Sequence, residues 1–384
     1  MSRNDRITII EQIEQSRNSK LICYLTGDRT GAPLGQIGGD AIRPMYNHIR
    51  SLGFNGVEKI DLLLYSRGGS VDTPWPLITM LREYCKELNV LIPFRAYSAT
   101  TMIALGADSI VMGKKGELGP IDPIMTKPFN EQTTYTESIP VEDVMSYIAF
   151  LKERIGLGDQ ASLSNMSHIL ADKLSPWTLG SMYRIHSHTR SIARKLLTSH
   201  CHAMEEQRIN SIIETLAEKT YFHGHAIGRL EAKSIGLEII DASEELDRLM
   251  WSLFEQYECL LKLNEPLDAR VVVPDDKEEY EEEIVIGAIE STQRTDLFTG
   301  KYKIKKTRQM PPQLNLSLNF NLPPQIRPDV LPKEVNEVLQ DFVKQMQVQL
   351  PQLIQAELNK QAPISKIQGD LCGGSWKDTT ARGM

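Results

Sequence analysis

Three short stretches of the sequence are the most informative about the fold: IDLLLYSRGGS at residues 60–70, RAYSATTMIALGAD at residues 95–108 and LGPIDP at residues 118–123. The first begins with a continuous apolar run, Leu62 to Leu64, a pattern typical of a parallel strand that is buried on both faces. The run leads to Gly68 and Gly69, where backbone amides can turn toward a ligand. This part of the chain therefore predicts an anion site at the end of a buried strand.

Ser98 lies at the next strand-to-helix junction. A second apolar run, residues 90–94, leads to it, and residues 99–106 are small and apolar enough to form a buried helix. The serine would then lie at a helix N-terminus, where free N–H groups and the helix dipole favour negative charge. A serine at such a junction, beside a Gly-Gly turn, can assemble an oxyanion hole for acyl transfer.

Strands and helices alternate around these stretches. Residues 21–26 predict a first strand, residues 40–52 a helix, and the alternation continues to residue 112. This order is typical of right-handed βαβ crossovers and a mainly parallel sheet, so the fold class is α/β. Ligands gather at the carboxyl ends of the strands in such sheets, which is where both glycines and Ser98 fall.

Four features, taken in order, resemble the Clp-fold serine peptidases, and most closely the serine dehydrogenase proteinase branch related to signal peptide peptidase A. They are the apolar strand with Gly68-Gly69, Tyr97-Ser98 before a helix, IALGADSIVM at residues 103–112, and LGPIDP at residues 118–123. The resemblance covers roughly residues 20–240 and implies a Clp/crotonase-like, mainly parallel sheet with flanking helices.

The same resemblance implies a hydrolase, a serine-type peptidase in which Ser98 is the nucleophile. Its oxyanion hole would come from Gly68, Gly69 and Ala99. The family usually has Gly-Gly directly after the nucleophile, whereas Ala99-Thr100 follows it here.

The general base is the next requirement, because a serine hydroxyl is a weak nucleophile until a neighbouring group takes its proton. Clp peptidases use a histidine on the strand after the helix, but the matching stretch here carries Asp122 and no histidine. Relatives of signal peptide peptidase A use a lysine from a later helix, kept neutral by burial. By resemblance Lys173 fits this role best, and Lys152 and Lys127 are the alternatives.

No cofactor and no metal are expected. His186 and His188 are two residues apart and so lie on different sides of a helix, which argues against a joint metal site. His223 and His225 lack further ligands at a recognisable spacing.

Composition adds limits on partners and location. The formal net charge of -7 gives no global reason to expect nucleic-acid binding. The basic run at residues 301–308 is expected to balance the acidic run at residues 278–283. Five widely spaced cysteines without a Cys-x-x-Cys pair predict reduced thiols in a cytoplasmic protein. No stretch approaches the roughly 20 apolar residues that span a bilayer, so no membrane span is expected.

The chain is predicted to divide into four parts. They are a Clp/crotonase-like serine peptidase domain (1–262), a small β-rich element (263–308), a Pro-rich extended segment (309–334), and an amphipathic helix with a flexible tail (335–384). In the third part Leu314, Leu316, Leu318, Phe320 and Leu322 alternate with polar residues, and such a strand needs its apolar face covered. Residues 309–358 are therefore expected to dock on another subunit of a homo-oligomer or on a partner protein. The alternative is that the segment folds back on its own domain, which the proline pairs at both ends would also permit.

Three classes of function remain open. The first is a soluble Ser-Lys peptidase that acts on peptides or proteins. The second is a crotonase-like enzyme that acts on an acyl thioester and uses the same oxyanion hole without Ser98. The third is a non-catalytic scaffold. The serine in the peptidase position, and the lack of an obvious basic clamp for coenzyme A near Gly68, favour the peptidase.

Overall fold

The computed structural model describes residues 2–53, 56–128, 136–219, 224–273, 277–309 and 332–382. Contacts divide the chain into two units. The first comprises Met1–Pro266, Ile284–Gly300 and Gly373–Met384, and the second comprises Leu267–Glu283 and Lys301–Cys372. The boundaries at residues 262, 308 and 334, drawn from composition, stay a prediction.

The elements up to residue 266 all belong to the first unit. Its helices are α1 (Arg3–Arg17), α2 (Ile42–Leu52), α3 (Pro74–Arg82), α4 (Ala99–Leu105), α5 (Val141–Ala149), α6 (Gln160–Lys173), α7 (Pro176–Thr198), α8 (Glu206–Glu214), α9 (Arg229–Ile235) and α10 (Glu244–Leu260). Its strands are β1 (Lys20–Thr26), β2 (Val57–Tyr65), β3 (Cys85–Ile92), β4 (Arg95–Ala96), β5 (Ser109–Met112), β6 (Glu117–Leu118), β7 (Ile124–Pro128), β8 (Thr136–Pro140) and β9 (Ile239–Asp241).

The remaining elements come from the C-terminal third of the chain. They are α11 (Ala269–Val272), β10 (Glu279–Glu290), β11 (Thr295–Arg308), α12 (Lys333–Gln361) and β12 (Ile364–Asp378). The helices α11 and α12 belong to the second unit, whereas residues 284–290, 295–300 and 373–378 of the three strands belong to the first.

The main sheet has eight strands in the order β12-β11-β10-β1-β2-β3-β5-β9. Strands β1, β2, β3, β5 and β9 pair in parallel, and β10 runs antiparallel to β1. The predicted α/β class with a mainly parallel sheet is therefore confirmed. Parallel pairing brings the carboxyl ends of β2 and β3 to the same edge, where the glycine pair and Ser98 follow.

The core of the first unit lies on both faces of this sheet. Leu62 and Leu64 pack on the face covered by α2, α3, α4 and α7, and Leu63 packs on the face covered by α1 and α10. Alternate residues of a strand point to opposite faces, so a strand covered on both sides must be apolar throughout. This is why the run at residues 62–64 identified the central strand.

A buried carboxylate joins α3, β3 and the chain after α7. Asp108 accepts hydrogen bonds from the Arg82 guanidinium (3.0 Å), the N–H of Leu88 (2.8 Å) and the N–H of Cys201 (2.7 Å). Burial by itself raises the pKa of Asp108, but these hydrogen bonds outweigh burial, so the pKa lies below its ordinary value of 3.8. The ionised form therefore stabilises the fold.

We expect Asp108→Asn to lower the free energy of unfolding by about 2–3 kcal/mol near neutral pH, because charge-assisted hydrogen bonds are lost. Since the folded pKa lies below the unfolded one, this contribution is present above pH 3.8 and fades as the pH falls through the folded pKa. Denaturant unfolding across this pH range measures it, with the exposed Asp172→Asn as control. A parent-to-variant difference that stays constant down to strongly acidic pH would contradict the prediction.

Residues 364–378 are not a flexible tail, and that part of the sequence-based prediction is wrong. They form β12 beside β11. Within the first unit, the Trp376 indole donates to Asp40 Oδ2 at 2.8 Å, and its ring contacts Tyr24 and Phe298 edge-on. Strand pairing relies on backbone groups, so a polar, glycine-rich composition concealed it.

The second unit confirms the predicted charge balance. Glu281 accepts hydrogen bonds from Lys301 (2.8 Å) and pairs with Lys303 (3.0 Å), and Arg308 donates to Glu278 (2.8 Å). The predicted strand at residues 314–322 lies outside the described residues. In the described parts of the chain, no helix combines the length and the apolarity needed to cross a bilayer.

Candidate functional site

Backbone pairing brings the loop after β2 beside Ser98. The N–H of Ser66 donates to Arg95 O at 3.0 Å, and the N–H of Tyr97 donates to Ser66 O at 3.1 Å. These two bonds form an isolated parallel bridge between Ser66, which follows β2, and Ala96, the last residue of β4. The glycine pair therefore lies close to Ser98, although Gly69 and Ser98 are 29 residues apart in sequence.

The Ser66 hydroxyl fixes the loop that contains Gly68 and Gly69. It accepts a hydrogen bond from Thr26 Oγ1 (2.7 Å) and another from the N–H of Gly68 (3.0 Å). The N–H of Gly68 is therefore already engaged inside the protein, and sequence reasoning had no means of seeing this.

The positions of both glycines exclude a side chain. A Cβ at Gly68 (φ 115°) would lie 2.8 Å from Ser98 Cβ and 3.0 Å from Tyr97 O. A Cβ at Gly69 would lie 2.2 Å from Ile37 O. Ile37 is fixed there because its N–H donates to Gly68 O and its carbonyl accepts from the N–H of Ser70, both at 2.8 Å.

Ser98 has a strained backbone. Its φ of 53° and ψ of -118° lie in a region that residues other than glycine rarely adopt, at a cost of about 1–3 kcal/mol. It occupies the position before α4, yet its side chain makes no hydrogen bond that caps the helix. A sharp, strained strand-to-helix turn of this kind is how α/β-hydrolases expose a nucleophilic serine.

Two backbone N–H groups beside Ser98 have no protein acceptor among the described residues. They belong to Gly69 and Ala99, while the next N–H groups of the helix are used: that of Thr100 donates to Tyr97 O (2.9 Å) and that of Met102 to Ser98 O (3.0 Å). Unused donors next to a half-buried hydroxyl are suited to bind an oxygen that becomes negative during a reaction.

Ser98 opens into a cleft of about 1030 Å³. Five parts of the chain line it: residues 34 and 36, residues 67–72, Ser98, Pro123, and one side of α7. The α7 residues in the lining are Ser181, Arg184, Ile185 and His188, whose spacing of three, four and seven residues defines a single helix face.

His188 is the residue of this lining that sequence reasoning missed. Its Nε2 lies 2.9 Å from Asp72 Oδ1, so the cleft holds a His–Asp pair. His186, two residues earlier, faces Glu142 instead, with 3.4 Å between Nε2 and Oε1. The prediction that the two histidines lie on different sides of the helix is confirmed. The α7 spacing could have placed His188 on one helix face with Arg184 and Ser181, but it could not have shown the pairing with Asp72.

The lysines proposed as the base do not line the cleft. Lys173 is the last residue of α6 and its side chain is exposed, and Lys152 is exposed in the π-helical turn Phe150–Arg154. Lys127 lies on β7, and its side chain is not among the parts that the structure describes. The structure thus brings Ser98, both glycines and Ala99 together, but it does not bring Lys173 or Lys152 to them.

The remaining candidates from the sequence lie elsewhere. Asp122 is buried beside Pro123. His225 pairs with Glu231 at 2.8 Å, and His223 lies outside the described residues. In the described part of the chain, no group of three or more His, Cys, Asp or Glu side chains is arranged to hold a metal ion.

Comparison with known families finds a match for the N-terminal third. Residues 2–134, which include Gly68, Gly69 and Ser98, match the family model of the ClpP-like SDH-type serine proteinases. The resemblance predicted from the four sequence features is confirmed over these residues.

Curated relatives exist in an archaeon. Two uncharacterized proteins of Methanocaldococcus jannaschii are 29% and 28% identical to the chain over 123 residues. These matches cover 31% of this chain and 42% and 41% of the relatives. The chain therefore spans about two fifths of the length of the relatives it matches.

Similar solved structures include a membrane-bound stomatin-specific protease, 18% identical, with a TM-score of 0.32 over 58% of this chain and 81% of that one. The ClpP catalytic domain of Plasmodium falciparum is 10% identical, with a TM-score of 0.32 over 64% and 93% of the two chains. ClpP1 of Listeria monocytogenes is 12% identical, with a TM-score of 0.32 over 62% and 97%.

Proposed function

We propose that this protein is a serine peptidase that hydrolyses peptide bonds with Ser98 as the nucleophile. The observation that carries the proposal is the strained backbone of Ser98 beside two unused N–H groups. Strain of this kind persists only where surrounding structure imposes it, and it concentrates at functional sites. The family match over residues 2–134 supports the same chemistry.

In the proposed reaction, Ser98 Oγ attacks the carbonyl carbon of a peptide bond. The carbonyl oxygen becomes negative and accepts hydrogen bonds from the N–H groups of Gly69 and Ala99. Gly68 was also expected to donate, but its N–H bonds Ser66 Oγ, so its contribution is the space that lets β2 approach Ser98. No cofactor enters this scheme.

The Ser98–Lys173 dyad remains the sequence-based form of the proposal. It requires Lys173 Nζ to reach Ser98 Oγ, and the exposed position of Lys173 at the end of α6 gives no such contact. The dyad stays a prediction, and the activity of Lys173→Ala tests it.

The two other classes of function make different use of Ser98. An acyl-thioester enzyme of the crotonase type would stabilise an oxyanion without a nucleophilic serine, and a scaffold would need neither. Neither one accounts for the strain at Ser98. A fluorophosphonate probe separates the classes, since it forms a covalent bond only with an activated serine: rapid labelling of the parent supports the peptidase, and its absence contradicts it.

The proposed substrate is a peptide or a protein segment. A cleft of about 1030 Å³ is at the upper end of the range for small-molecule sites and has room for several residues of an extended chain. The cytoplasmic location and the absence of nucleic-acid and membrane partners stay predictions from the sequence.

Assembly into a homo-oligomer is proposed because α12 carries exposed apolar residues. On α12, Val338 and Phe342 are four residues apart on one face and are 71% and 59% exposed. Deleting residues 309–384 would also remove β12, so point substitutions give a cleaner test. We expect Val338→Ser with Phe342→Ser to lower the mass in light scattering by at least one 43.4 kDa subunit. A control pair at the exposed Glu334 and Glu337 should keep the parental mass, and an unchanged mass in the apolar variant would rule out this face.

A further inference from the structure

We propose that His188, oriented by Asp72, accepts the proton of Ser98 in place of a lysine. This inference rests on the proposed function, because it supplies the base that a serine peptidase needs. It differs from the placement expected by resemblance, in which a histidine would stand on the strand after α4 or a lysine on a later helix.

The chemistry of the cleft lining singles out this pair. Among the described residues that line the cleft, the charged or titratable side chains are Arg67, Asp72, Arg184 and His188. Guanidinium groups have no acceptor, so neither arginine can take a proton. An imidazole whose ring is oriented by a carboxylate is the usual partner of a nucleophilic serine.

The backbone links the pair to the nucleophile over a short distance. A Cβ at Gly68 would lie 2.8 Å from Ser98 Cβ, so the two residues are close. Asp72 follows Gly68 by four residues, a span of at most about 14 Å even when fully extended. The segment is not extended, because the N–H of Thr73 donates to Ser70 O at 3.3 Å and closes a turn. Asp72 and its partner His188 therefore stay near the end of β2 and face the same cleft as Ser98.

The helix α7 places the imidazole of His188 in the cleft lining. His188 lies one and two turns beyond Arg184 and Ser181 on the face that lines the cleft. It is 46% exposed, so water or substrate can reach the ring. When Nε2–H donates to Asp72, the lone pair of Nδ1 remains as the proton acceptor.

The proposed steps balance as follows. Ser98 Oγ forms a bond to the carbonyl carbon while its proton moves to His188, and the peptide C–N bond breaks as His188 returns that proton to the leaving amine. Water then attacks the acyl-enzyme, gives its proton to His188, and the ester bond to Ser98 breaks with return of that proton to Oγ. Asp72 stays ionised and acts as a positioning residue.

The rate of fluorophosphonate labelling tests the proposal, because the probe bonds to Ser98 Oγ, releases fluoride, and needs only the proton acceptor. We expect His188→Ala to label about 100-fold more slowly than the parent and to recover in added imidazole. His186→Ala, on the same helix but outside the lining, should label at the parental rate. Asp72→Asn should slow labelling about tenfold, and Asp72→Glu should recover part of it.

The outcomes separate this proposal from the proposed function. Three results would each overturn the role of His188: labelling of His188→Ala at the parental rate, slow labelling that imidazole does not restore, or a 100-fold loss in Lys173→Ala. In each case, labelling of the parent at Ser98 would still support the serine peptidase. A parent that is not labelled would instead overturn the proposed function. If His188→Ala does not fold, the Asp72 variants, on an exposed turn, decide, and a parental rate in Asp72→Asn would overturn the proposal.

Discussion

Ser98→Ala is expected to reduce peptide hydrolysis by about 10⁴-fold or more while the protein keeps its fold. The reduction follows because the proposed mechanism has no other atom that can form the acyl-enzyme, and removal of a nucleophile from a catalytic set is among the most damaging substitutions. The fold is kept because Ser98 Oγ makes no capping bond to α4. Hydrolysis of a fluorogenic peptide, with circular dichroism on the same sample, measures both.

Two matched variants sharpen this test. Ser181→Ala removes another serine hydroxyl from the same cleft and should keep activity within a few-fold of the parent. Ser98→Gly should be inactive but more stable than Ser98→Ala by about 1 kcal/mol, because glycine adopts a φ of 53° without strain. Full peptidase activity in Ser98→Ala would show that another group attacks the substrate.

Gly69→Ala is expected to cause the second largest loss, about 10²–10³-fold in hydrolysis. The added Cβ would lie 2.2 Å from Ile37 O and 2.5 Å from Ile37 N, so the loop must shift. A shift moves the N–H of Gly69 away from the developing oxyanion. It also weakens the backbone hydrogen bonds that Ile37 makes with Gly68 and Ser70. Both the hydrolysis rate and the melting temperature should therefore fall.

Gly39→Ala is the control for this variant, because a Cβ there meets no atom within 4 Å. It should leave the rate unchanged and the stability within about 0.5 kcal/mol of the parent. If Gly69→Ala were as active and as stable as the parent, the glycine pair would be an ordinary turn and the oxyanion hole would lie elsewhere.

The central part of this fold could be predicted because its physical signals are local. An unbroken apolar run at residues 62–64 identifies a strand covered on both faces, and the confirmed parallel order places its end beside Ser98. Gly68 and Gly69 could be recognised from the sequence as positions where another part of the chain approaches the backbone closely. In the structure, Ser98 approaches Gly68 and Ile37 approaches Gly69.

The rest depends on contacts between distant parts of the chain. The bond from the N–H of Gly68 to Ser66 Oγ, which removes one expected oxyanion donor, needs the loop geometry to be known. The strand β12 was missed because the backbone of β11 pairs with it regardless of its polar side chains. The pairing of His188 with Asp72 joins residues 116 positions apart, and no pattern in either segment announces it.

Whether Ser98 is an activated nucleophile is tested most directly by locating the fluorophosphonate adduct with peptide mass spectrometry. We expect one adduct per chain, on Ser98, formed by the parent and absent from Ser98→Ala. An adduct on Ser70 or Ser181, or a parent that carries none, would contradict the claim that Ser98 is an activated nucleophile.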